Sequence, residues 1–174
     1  MTIRTVAVAC LLGGGIGFAG AEIVYSGYDH SFSYAGFGDI HDAANQDRIT
    51  DNVWITRSTS QGIFNIAQES SYQGTGSSGP SPIGTMWAFG TTADYDTLSY
   101  TTWASLHQAS PPSLVNQAVV VYLEDDDIYI DLMFTSWSTG GGGGGFSYVR
   151  SNVPTPASGA LLGLGGLIAT RRRR

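Results

Sequence analysis

Along the middle of this chain, apolar residues recur at every second position in short runs broken by Gly, Ser and Pro. That is the period of half-buried strands, not of helices. The clearest run is Ile128-Tyr129-Ile130-Asp131-Leu132-Met133-Phe134, which puts Ile128, Ile130, Leu132 and Phe134 on one face. Asn52 to Arg57 alternates too, setting Val53, Ile55 and Arg57 opposite Trp54 and Thr56. Gly62 to Ala67 follows after Ser-Thr-Ser-Gln at a spacing that suits a hairpin. The pattern predicts further strands over Ile23 to Tyr28, Thr85 to Phe89, Ala118 to Leu123 and Phe146 to Arg150. The continuous apolar run at Ala118 to Leu123 reads as a central strand. Helix is confined to a turn or two within Asp39 to Arg48 and Tyr100 to His107. Short strands with this punctuation predict one all-β domain, an antiparallel sandwich of jelly-roll-like type. The Gly/Ser/Pro stretch from Gly74 to Pro82 reads as a loop. The six glycines Gly140 to Gly145 read as a mobile loop, because ordering glycine has a high entropic cost.

The two ends break this pattern and carry their own signals. Arg4 followed by the apolar and Gly stretch Thr5 to Phe18, then Ala19-Gly20-Ala21, has the order of a secretory signal cleaved at a small-x-small site. A transmembrane span needs about 20 apolar residues, more than this stretch holds. The expected organisation is a signal peptide over 1–21, a β-rich domain over 22–152 and a C-terminal segment over 153–174. The single cysteine, Cys10, falls in the signal. The predicted domain therefore has no disulfide, no thiol nucleophile and no cysteine metal site, and must rely on a packed core.

Charge divides the same way. The chain has no lysine, and all 14 acidic residues lie between Glu22 and Asp131. From Glu22 to Val153 only Arg48, Arg57 and Arg150 oppose them, so this stretch is far more acidic than the whole-chain net of −6 conveys. Such a domain repels phosphate backbones, which excludes nucleic acid as a partner, and it suits solvation or cation binding outside the cell.

The tail runs Val153-Pro154-Thr155-Pro156, then a Gly/Leu-rich apolar stretch from Ala157 to Thr170, then Arg171, Arg172, Arg173 and Arg174. The two prolines keep the first part extended and open to a protease. The apolar part can enter a bilayer as a helix, and the arginines hold its end on the cytoplasmic side. As a helix it would be about 21 Å long, against a hydrocarbon core of about 30 Å, which suits a transient anchor. This order of Pro-x-Pro, short apolar helix and terminal arginines resembles the PEP-CTERM sorting tail of Gram-negative bacteria, with Thr155 in place of the usual Glu. The resemblance implies signal peptidase and an exosortase-type protease as processing partners. It also implies transient insertion in the inner membrane, delivery to the cell surface or matrix, and an association with exopolysaccharide. Asp51 to Arg57 with Gly62 to Ile66, and Asp127 to Asp131 leading through Phe134-Thr135-Ser136-Trp137 to the glycine run and Phe146-Ser147-Tyr148, resemble a secreted β-domain type of bacterial surface proteins. That likeness implies an exported setting and no particular activity.

Candidate chemistry is sparse. Glu124-Asp125-Asp126-Asp127 with Asp131 is the best metal candidate. Calcium takes six to eight oxygens, and Asp125, Asp127 and Asp131 share a face if a strand begins early. An aspartate-rich hairpin tip accounts for the same residues. Tyr100 and Trp103, in an irregular polar stretch, are the candidate exposed pair for stacking on sugar rings, while the other aromatics read as core. The histidines His30, His41 and His107 are scattered and read as surface or packing residues. No G-x-S-x-G, H-E-x-x-H or phosphate-loop motif is present, and Gly74-Thr75-Gly76-Ser77-Ser78-Gly79 lacks the following helix that a dinucleotide loop needs. The expected role is a non-catalytic structural or binding module of the envelope. A calcium- or carbohydrate-binding lectin-like module is the narrower alternative, and a carboxylate-dependent hydrolase the alternative from another class.

Overall fold

The computed structural model describes residues 4–5 and 22–154. The predicted cleavage residues Ala19 and Ala21, and the tail residues Thr155, Pro156 and Arg171 to Arg174, lie outside the described residues. In chain order the strands are β1 (Arg4–Thr5), β2 (Ile23–Tyr25), β3 (His30–Tyr34), β4 (Asp47–Arg48), β5 (Trp54–Arg57), β6 (Ile63–Asn65), β7 (Thr85–Phe89), β8 (Ala118–Leu123), β9 (Ile128–Trp137) and β10 (Phe146–Arg150). One short helix, α1 (Trp103–His107), and three single 3-10 turns complete the described chain. No described helix is long and apolar enough to cross a membrane.

The strands form a seven-stranded sheet and a three-stranded sheet, β4-β5-β6. The long strand β9 organises the larger one. One of its edges carries β8 and then β7; the other carries β2 along its first part and β10, then β3, along its second. Ser151 seals the point where β2 leaves and β10 arrives. Its hydroxyl donates to the carbonyls of Tyr25 and Gly27 and accepts from the Asp131 N–H. The pairing is antiparallel except for β2, which lies parallel to β9. The sheets are thus antiparallel as expected, apart from this one pair. No tight turn joins β2 to β9, so no hairpin fixes their relative direction.

Alternation places the core as the sequence predicts. Ile128, Ile130, Leu132 and Phe134 of β9 face inward with Val119, Val121 and Leu123 of β8 and Phe146 and Tyr148 of β10. Val53, Ile55 and Ile63 from the smaller sheet and its approach meet them in the same cluster. The opposite face of the large sheet is covered by the segment after β7. There Asp131 accepts from the Thr92 N–H and hydroxyl and from the Gly27 N–H, clamping that segment down.

Two polar devices are built into the interior. Asp47 and Arg150 form a buried ion pair, with Nε 2.7 Å from Oδ2 and Nη2 2.7 Å from Oδ1, and the Tyr148 hydroxyl donates to the same carboxylate at 2.7 Å. Burial, and then the Asp47 charge, raise the Tyr148 pKa and keep its hydroxyl protonated. The second device is the glycine run, which is a packed element and not the mobile loop expected. Gly143, Gly144 and Gly145 are buried. The Gly143 carbonyl accepts from the Phe37 N–H at 2.8 Å. Gly144 has a φ of +80°, and a Cβ there would collide with the Ser58 carbonyl. Close backbone approach on both sides leaves room only for glycine.

Two consequences can be measured by urea unfolding. Gly144→Ala should cost more than about 2 kcal/mol through clash and strain, while Gly140→Ala, in open space with a φ of +57°, should cost about 1 kcal/mol. Asp47→Asn should cost about 3–5 kcal/mol, because it leaves the Arg150 charge buried without a partner.

Candidate functional site

β5 carries Ile55 and Arg57 on its inward face, since residues two apart on a strand point the same way. Ile55 joins the core, but Arg57 stands at the strand's end, where the core gives way to a cleft. Its guanidinium lies 3.8 Å over the ring of Trp137, the last residue of β9. Nε donates to the Gln61 carbonyl, Nη1 to the carbonyls of Ser138 and Gly145, and Nη2 to that of Ser138. Arg57 is only 4% exposed and has no carboxylate partner among the described residues. Burial without a counter-charge pulls its pKa down to about 10.

The cleft encloses about 350 Å³ between the β5–β6 turn, the end of α1 and the end of β9. Thr102 caps α1 by accepting from the Ser105 N–H, and the helix then directs Trp103 and His107 inward. His107 lines the cleft and is 3% exposed. Neither of its ring nitrogens has a hydrogen-bond partner among the described residues, nor does Nε1 of Trp103. The His107 and Trp103 rings meet at 4.1 Å, and Trp103 packs in turn on Trp137 at 5.5 Å and edge-on to Tyr72 at 6.1 Å. Trp137 and Tyr72 supply aromatic wall, Arg57 a cation, and Ser60 and Gln61 a polar rim. None of the lining residues is acidic. Buried polar atoms are nearly always paired, so the two His107 nitrogens are an unmet demand beside the cleft.

The residues expected to act lie elsewhere. Trp103 is corrected from an exposed sugar platform to a core residue, 1% exposed, because the helix cap turns it beneath Tyr72. Tyr100 sits half-buried on the outer face of the large sheet, against Tyr122 and Tyr129, whose rings stack at 4.4 Å. The two residues therefore do not form one platform. The acidic cluster is the tip of the β8–β9 hairpin, and its carboxylates point to separate partners. Asp125 accepts from Gln68, Asp126 from Thr50 and Asn52, and Asp127 from the Tyr122 hydroxyl. Asp131 faces Thr92 and Gly27. Among the described residues no three His, Cys, Asp or Glu side chains converge as a metal cage. Val153 is buried and Pro154 exposed at the end of the described chain. Arg57, Tyr72 and Trp137 were not assigned to a site from the sequence, and His107 was read as a surface or packing residue. Arg57 on the face of Ile55 was the one available signal, since a cation on a core face needs a reason.

No protein-family model, curated protein or solved structure matches this chain.

Burial lowers the His107 pKa from 6.5 to about 4. The unfolded chain thus takes up a proton between these values and the folded one does not, so stability falls as pH drops from 6.5 to 4. The loss at this one site should be roughly 2–3 kcal/mol, and the slope of unfolding free energy against pH should flatten by that amount in His107→Asn. Millimolar calcium should leave the melting point unchanged, since a ligand held only by the folded state would raise it.

Proposed function

We propose that this chain is an exported binding module of a bacterial envelope or exopolysaccharide matrix, and that the Arg57–His107–Trp137 cleft holds a sugar unit of that matrix. The observation that carries the reading is the meeting, in one cleft, of aromatic surface with buried polar atoms that have no partner. Saccharides present apolar ring faces and hydroxyl edges together, and a site of this make-up complements both. Two sheets closing on one shared core support the sandwich form proposed for the domain. In this reading the signal peptide exports the chain and the PEP-CTERM-like tail anchors it transiently. An exosortase-type protease then cuts near Val153-Pro154-Thr155-Pro156 and passes it to the surface.

The full chain should bind immobilised glycans on an array, and Trp137→Ala should weaken that binding at least tenfold while the far-ultraviolet circular dichroism stays β-like. Binding that survives Trp137→Ala undiminished would sink the cleft as the site. In cells, replacing Pro154, Thr155 and Pro156 with alanine should hold the chain in the inner membrane fraction, as followed by immunoblotting.

A further inference from the structure

We infer that the sugar held in this cleft is an acidic one, of the uronic-acid type, with its carboxylate set against Arg57. The inference rests on the sugar-binding reading and adds a chemical class to it.

The three arginines of the acidic domain make the case by contrast. Arg48 is exposed and lies over Trp54. Arg150 is buried and fully paired with Asp47. Arg57 is as buried as Arg150, yet it touches only neutral groups. A buried cation without a counter-ion is costly, and a domain carrying 14 acids has spared none for it. The cleft wall is free of acidic side chains, so nothing there repels an anion. Four carbonyl bonds leave one N–H of the guanidinium, on Nη2, without an acceptor.

His107 completes the arrangement. It is more than nine-tenths buried, lines the same cleft, and has both ring nitrogens without partners. The other titratable groups lining the cleft are Arg57 and Tyr72. At neutral pH the imidazole is uncharged, so it offers one donor and one acceptor. These unmet needs stand beside the space that the carboxylate and ring hydroxyls of a sugar acid would occupy. The formal charge is left to Arg57, and Tyr72 and the edge of Trp137 border the apolar part of the sugar. An inorganic anion would use Arg57 alone and leave the aromatic wall and the acceptor nitrogen idle.

The decisive comparison uses one backbone with and without its charge. Oligogalacturonate and its methyl ester are titrated calorimetrically into the full chain, beside a neutral glucan oligomer and inorganic sulfate. The acid should bind at least tenfold more tightly than the ester. Arg57→Gln should abolish that preference. Because Arg57 also braces the fold, Ser60→Glu and Thr139→Glu serve as independent variants. Both positions are exposed on the rim, so melting should be unchanged while affinity for the acid drops about tenfold. Equal binding of acid and ester, or rim variants that bind the acid as well as the parent, would overturn the acidic class and leave a neutral-sugar cleft standing. Sulfate binding as tight as the acid would overturn the sugar-acid match in favour of a simple anion site. Failure of every glycan, neutral and acidic, would remove both readings together.

Discussion

A guanidinium buried at the end of a strand must find acceptors for its N–H groups, and Arg57 finds them in backbone carbonyls of the adjoining turn and of a distant part of the chain. Through Gln61 it fixes the turn of the small sheet. Through Ser138 and Gly145 it fixes both ends of the glycine run beyond the large one. Its stacking on Trp137 then closes the seam between the sheets. The glycine run can be ordered despite its entropy because its carbonyls are gripped in this way, and because only glycine fits beneath Ser58 and beside Phe37. The cleft is what remains open in front of that seam. Its shape, its charge and the order of its rim all follow from one side chain.

Much of the sheet structure is legible in the sequence. Thr85–Phe89, Ala118–Leu123 and Phe146–Arg150 form strands over the expected residues, and the inward face of Ile128–Trp137 is the one that alternation assigns. β3 was not visible, because His30, Ser31 and Ser33 interleave Phe32 and Tyr34 in a run rich in turn residues. That composition suits an edge strand, which pairs only with β10 and turns its polar face outward. The glycine run misled for a related reason. Glycine signals permission for unusual backbone, and only the surrounding chain decides whether the permission is used for motion or for close packing. The site itself was hidden because Arg57, Tyr72, His107 and Trp137 come from four separate stretches with no shared local motif. Patterning locates strands; it does not report which loop ends meet.

The arginines also show how an acidic domain spends few cations. One braces a seam without a counter-ion, one neutralises Asp47 in the interior, and one covers a half-buried indole. Only the first leaves an electrostatic need that folding itself does not meet. A protein-wide negative field and a local positive cleft oppose each other at long range, and salt screens the long-range part more than the buried part.

The seam between β2 and β10 has a geometric corollary. Glu22 leads into β2, whose Ile23 pairs with Ile128, and the described chain ends at Pro154 beside that same pair, with Ile23, Ile128, Val153 and Pro154 bordering one small hollow. Entry and exit therefore share one pole of the domain. Trp137 stands nine residues further along β9, roughly 30 Å away at the rise of an extended strand. The cleft therefore opens at the opposite end of β9 from the pole where Ile23 and Pro154 meet.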